Sequence, residues 1–142
     1  MKLHDLFPSD RLSAEQLTDR AARHLQTIFG TRLQLPGSSD NYMPDILGRT
    51  EDGKTLWFEV KQPRKDFAIG FSEISSLVNL KASSAEPYPL AVILLTGREV
   101  SAASKALLRE HGIPIVHVGE TAEDTRQSLR SALLENSLPV PF

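Results

Sequence analysis

Pro44-Asp45-Ile46-Leu47-Gly48-Arg49-Thr50-Glu51-Asp52-Gly53-Lys54-Thr55-Leu56-Trp57-Phe58-Glu59-Val60-Lys61-Gln62 reads as two strands joined by a tight turn. Asp-Gly is a strong short-range hairpin signal, because glycine adopts the left-handed backbone that such turns require. In the second strand Leu56, Phe58 and Val60 alternate with Trp57, Glu59 and Lys61, so two faces are defined. Glu59 and Lys61 then point to one face, about 6 to 7 Å apart along the strand.

Where Asp45 points depends on register, since a slip of one residue turns a strand over. A two-residue Asp52-Gly53 turn pairs Glu51 with Lys54 and sets Asp45 opposite Val60, on the core face. A three-residue Glu51-Asp52-Gly53 loop, with Gly53 left-handed in a bulge, pairs Thr50 with Lys54 and sets Asp45 opposite Glu59. The second register is expected, because it alone of the two brings both carboxylates to one face.

Outward from the hairpin, Ser13 and Gln16 form a capping box, and Leu17, Ala21, Leu25 and Ile28 recur at helical spacing up to Gly30, predicting a helix over 13–29. Thr31–Leu35 is a short strand candidate, followed by the loop-forming Pro36-Gly37-Ser38-Ser39-Asp40. Beyond the hairpin come a basic loop, Pro63–Gly70, and a helix over Ser72–Ser83 with Ile74, Leu77, Val78 and Ala82 inward. Leu90–Thr96 is a β-branched apolar run suited to a strand buried on both faces. A helix over Ser101–His111, a strand over Ile113–Val118 and a helix over Thr121–Glu135 follow, and Pro139-Val140-Pro141-Phe142 cannot extend the last. The alternation in this half predicts parallel pairing through right-handed crossovers, giving an α/β domain with a mixed sheet and helices on both sides.

The chain has 142 residues, the size of one ordinary domain, so residues 1–142 are read as a single unit. Cysteine is absent, which leaves oxygen or imidazole as metal donors and favours a hard ion. The longest apolar run, Leu90 to Leu95, is far below the roughly 18 residues of a membrane span, and Met1-Lys2-Leu3-His4-Asp5 lacks signal-peptide character, so a cytoplasmic location is expected. A net charge of −2 excludes binding of nucleic acid by bulk electrostatics alone. Positive charge would have to gather on one face or come from a partner.

Two carboxylates meeting at one point repel each other unless a cation sits between them. Mg²⁺ fits such a site, with one or two carboxylates, a carbonyl such as that of Val60, and waters. Lys61 alongside would lower the pKa of a metal-bound water or hold a phosphate.

Pro44-Asp45, a hairpin, then Glu59-Val60-Lys61 resembles the signature of the PD-(D/E)XK phosphodiesterase superfamily, which includes restriction endonucleases and archaeal Holliday-junction resolvases. The element order from the leading helix to Ile113–Val118 is similar as well. The resemblance implies a restriction-endonuclease-like αβββαβ core with a central mixed sheet, plus an α-β-α C-terminal extension. It implies a Mg²⁺-dependent endonuclease, with Mn²⁺ as substitute, hydrolysing DNA. Asp45 and Glu59 are then the metal ligands, and Lys61 assists the nucleophile. A glutamate from the first helix often joins such sites, and Glu15, at the flank of this helix, is the better candidate than Asp19. Gln62 is the polar residue that would touch the metal shell or the scissile phosphate. Arg64 and Lys65, with the nearby Arg49 and Lys54, are candidate phosphate contacts.

Each feature also has an ordinary explanation. Glu-x-Lys suits any solvated sheet edge. A few basic residues around a loop are commonly just surface. Trp57, on the face of Glu59 and Lys61, either stacks on a base or packs under the neighbouring helix, the latter being favoured. His24, His111 and His117 show no ligand spacing, and Arg98 after Thr96-Gly97 sits at a turn that needs a glycine anyway. The second functional expectation is a catalytically inactive module of the same fold that binds nucleic acid or a protein in a larger complex. A homodimer is the expected alternative to such a complex, since two sites are needed to cut both strands.

Overall fold

The computed structural model describes residues 12–35, 46–63, 68–83 and 89–142. Helix α1 (Ala14–Phe29) leads through a 3-10 turn (Gly30–Arg32) into β1 (Leu33–Gln34), β2 (Ile46–Arg49) and β3 (Thr55–Val60). Then come α2 (Phe71–Ser83), β4 (Ala91–Thr96), α3 (Ala102–Glu110), β5 (Ile115–His117) and α4 (Ala122–Glu135). The order is the expected αβββαβ followed by α-β-α.

The five strands form one sheet in sequence order. β1, β2 and β3 are antiparallel, while β3, β4 and β5 run parallel. α1 and α4 cover one face, where Leu17, Ala21, Leu25, Leu129 and Leu133 meet Ile46, Leu56, Phe58, Ile93 and Leu95. α2 and α3 cover the other, with Ile74, Leu77 and Leu108 against Leu47, Trp57, Val92 and Leu94. Both crossover helices lie on one face, as two successive right-handed connections moving in one direction require.

The helix starts follow from the sequence. Ser13 and Gln16 exchange the two bonds of a capping box, Ser13 N–H donating to Gln16 Oε1 at 2.9 Å and Gln16 N–H to Ser13 Oγ at 3.1 Å. Thr121 and Asp124 repeat the device on α4. The tail folds back on α1: the Phe142 ring lies edge-on to Phe29 at 5.8 Å, and Arg32 donates to the Pro141 carbonyl at 3.0 Å.

Several details differ from expectation. The inward stripe of α1 ends on Phe29, 3% exposed, whereas Ile28 is only half-buried. Gly48 is the reason: a Cβ there would lie 3.0 Å from the Phe29 ring, so the missing side chain makes the space that the ring fills. Ala82 is exposed, in the last turn of α2. The edge strands β1 and β5 are shorter than the expected Thr31–Leu35 and Ile113–Val118, β1 because the chain first turns through Gly30–Arg32.

Candidate functional site

The hairpin has the three-residue loop. Thr50 N–H donates to the Lys54 carbonyl at 2.8 Å, Gly53 N–H to the Thr50 carbonyl at 3.1 Å, and Gly53 has φ +83°. The Thr50 hydroxyl donates to the Asp52 carboxylate, which is the main reason that the Asp52 pKa lies below the usual carboxylate value; Lys54 adds to it. The strands pair Ile46↔Phe58, Leu47↔Trp57, Gly48↔Leu56 and Arg49↔Thr55. Pro44 and Asp45 lie outside the described residues, as do Arg64 and Lys65.

Glu59 and Lys61 follow Trp57 on the α2/α3 side, and both are half-buried. Glu59 pairs with Leu94 of β4, and Lys61 N–H donates to the Leu95 carbonyl at 3.0 Å, which holds this stretch on the sheet. The Val60 side chain faces the opposite layer, beside α1. Among the described residues there is no group of three or more His, Cys, Asp or Glu that could hold a metal. The described donors, Glu59 and the Val60 carbonyl, are oxygen only, the chemistry that a hard divalent ion prefers, but they need a further carboxylate to hold one.

Gln62 works inside the protein. Its side-chain carbonyl accepts from Gly97 N–H at 3.1 Å, and its amide reaches the Leu12 carbonyl at 3.4 Å. It therefore ties the end of β3 to the end of β4 and to the lead-in of α1. Arg98 reinforces the same corner, donating to the Pro63 carbonyl at 2.7 Å. Glu15, in the first turn of α1, is exposed. α1 covers the face opposite Glu59 and Lys61, so Glu15 would have to reach around the carboxyl ends of the strands to join them.

Arg49 and Lys54 are not part of this corner. Lys54 lies five residues before Glu59, about 17 Å along the strand. Lys54 pairs with Asp52 at 3.8 Å and Arg49 donates to Gln34 at 3.1 Å. Trp57 is 8% exposed and belongs to the layer under α2, so it packs rather than stacks. The three described histidines make structural contacts. His24 Nδ1 meets the Thr125 hydroxyl at 2.7 Å, and burial, helped by Arg20 and Arg23, lowers its pKa against the opposing pull of Asp124. His117 is also lowered, first by burial and then by Lys105. His111 caps α3, and its carbonyl accepts from Lys81 Nζ at 2.9 Å.

One residue at this corner escaped the sequence reading. Phe71 opens α2 and is 80% exposed. An aromatic residue directly after Gly70, at the junction of a basic loop and a helix, was the available signal. The expected helix begins at Ser72, which leaves Phe71 between elements, whereas it is the first residue of α2.

No protein-family model matches the sequence, and no match was found among curated proteins. Among solved structures the chain is similar to the MspJI restriction endonuclease in complex with a 27-mer oligonucleotide, at 16% identity and a TM-score of 0.49. The alignment covers 92% of this chain and 31% of that one. It is also similar to the YaeQ protein from Xanthomonas axonopodis pv. citri, at 16% identity and a TM-score of 0.38, covering 78% of this chain and 59% of that one. The chain thus spans less than two thirds of either.

Proposed function

We propose that this chain is a Mg²⁺-dependent DNA endonuclease of the PD-(D/E)XK type, acting as one domain over residues 1–142. The observation that carries the reading is the β2–β3 register. That register, ending at Ile46↔Phe58, leaves Glu59 and Lys61 next along β3; in this reading the pairing would carry on by one residue, so that Asp45, outside the described residues, would face Glu59. The αβββαβ order and the oxygen-only donor chemistry support it.

In this reading Asp45, Glu59 and the Val60 carbonyl hold the ion. When bound, the ion supplies an acidified water and offsets charge on the phosphoryl group. Lys61, two residues along the strand, is the charge that assists the attacking water or holds a phosphate oxygen. Gln62 acts as a positioning residue: by bonding Gly97 and Leu12 it fixes the strand end on which Glu59 and Lys61 stand. Glu15 is the candidate fourth member, Arg64 and Lys65 are candidate phosphate contacts, and a second copy or a larger complex would supply the cut on the other strand.

The test is incubation of purified protein with plasmid, branched and single-stranded DNA, and with RNA, in Mg²⁺ or Mn²⁺. Cleavage by the wild type is expected to fall by about 10²-fold or more in Asp45→Ala, Glu59→Ala and Lys61→Ala, the scale on which loss of one charge-stabilising group registers. Equal cleavage by the variants would remove the mechanism. Binding without cleavage would leave the inactive-module alternative.

A further inference from the structure

Phe71 is the most exposed large hydrophobic side chain among the described residues, at 80%, above Leu35 at 61% and Leu134 at 58%. Single exposed apolar residues are ordinary. What sets this one apart is where it is held. β3 ends at Val60, and the chain must come back to start α2 before running down to β4, so Phe71 stands at the carboxyl end of the parallel strands.

Both ends of the connection are tied to one segment. On the Lys61 side, Gln62 accepts from Gly97 N–H at 3.1 Å and the Pro63 carbonyl accepts from Arg98 at 2.7 Å. On the Phe71 side, Ile69 is 4% exposed and donates its N–H to Ser104 Oγ at 3.1 Å, while Ser104 N–H is capped by Ser101 at 3.3 Å. Residues 97–104 thus hold Lys61 and Phe71 at the same end of the molecule. Phe71 lies on the α2 stripe that carries Ile74 and Val78 to the sheet, one turn earlier. At 80% exposure the ring does not enter that layer and is left open to solvent.

We propose that Phe71 is a stacking platform for an unpaired nucleobase adjoining the phosphate that is cut, which makes single-stranded or branched DNA the preferred substrate over a fully paired duplex. A paired base offers its face only to its stacked neighbours, whereas an unpaired base exposes it to an aromatic ring. The two cations held at this end, Lys61 and Arg98, suit the backbone on either side of such a base. The proposal rests on the nuclease reading.

The test compares wild type, Phe71→Ala and Phe71→Trp on a single-stranded oligonucleotide, a forked duplex and a fully paired duplex, with binding measured in Ca²⁺ and cleavage in Mg²⁺. Stacking lost at about 1–3 kcal/mol per base corresponds to roughly 5- to 150-fold weaker binding. That loss should appear as raised Kd and KM on the first two substrates, with little change on the duplex and with recovery in Phe71→Trp. Thermal melting should be unaltered in Phe71→Ala, because the ring is exposed. Wild type that favours unpaired DNA no more than duplex, or Phe71→Ala with unchanged Kd and KM, overturns the proposal and leaves the nuclease reading intact. A Phe71-dependent binding preference without cleavage removes the nuclease reading and the proposal with it, leaving Phe71 as a contact of the inactive module. No binding and no cleavage by wild type overturns both.

Discussion

Replacing Gly48 by alanine should destabilise the protein, against the usual direction for a strand. Glycine within a strand is ordinarily worse than alanine by about 0.5–1 kcal/mol. Here a Cβ would stand 3.0, 3.1 and 3.2 Å from three carbons of the Phe29 ring. That ring is 3% exposed and held edge-on by Phe58 at 5.9 Å and by Phe142 at 5.8 Å, so it has no free direction in which to retreat. Three contacts this short put the cost in the upper half of the about 1–3 kcal/mol that overpacking a filled core takes, which leaves a net loss of roughly 1–2.5 kcal/mol after the strand gain. For a chain of this size that is a fall in Tm of about 3–10 °C. Urea titration and thermal melting by circular dichroism measure it. Phe29→Leu in the Gly48→Ala background should cost less than Phe29→Leu alone, because the smaller side chain relieves the contact. A Gly48→Ala protein as stable as wild type, or more so, would refute the account of how α1 seats on β2.

Two further outcomes follow from the geometry. Gln62→Leu removes the acceptor of the buried Gly97 N–H and should cost about 1–3 kcal/mol in urea titration, with faster amide exchange at Gly97 as its direct signature. Stability should also fall as pH drops below 6.5. His24 and His117 have folded pKa values lowered from 6.5, so the unfolded chain takes up protons first, and their contribution is present above 6.5 and lost as pH falls through the folded values. Denaturant titrations from pH 8 to pH 5 should show that slope, shallower in His24→Gln; an unchanged slope when both histidines are replaced would assign it elsewhere.

Much of this architecture was legible because its signals are local. Asp52-Gly53 marked the turn, though it left two registers open until the carboxylates chose between them, and Ser13 with Gln16 marked the start of α1. What was not legible depends on distant partners. The burial of Phe29 over Ile28 reflects the side chain that Gly48 lacks, on another element. The ends of β1 and β5 are set by what each pairs with, not by their own apolar runs. At the site, Glu59 and Lys61 announce themselves by strand parity, whereas the work of Gln62 depends on Gly97, 35 residues away. Phe71 was hidden for a different reason: the expected helix begins at Ser72, and the boundary of a helix is less legible than its stripe.

The two parallel crossovers deliver their connections to a single end of the sheet, while the hairpin tip and the folded-back tail lie elsewhere. On the proposed reading, substitutions at 71 can therefore alter what the protein grips without touching the two apolar layers, whose residues lie between the strands and the helices. Such a scaffold separates inheritance of shape from inheritance of preference. On that reading, descendants could change target through an exposed position such as 71 at little cost to folding.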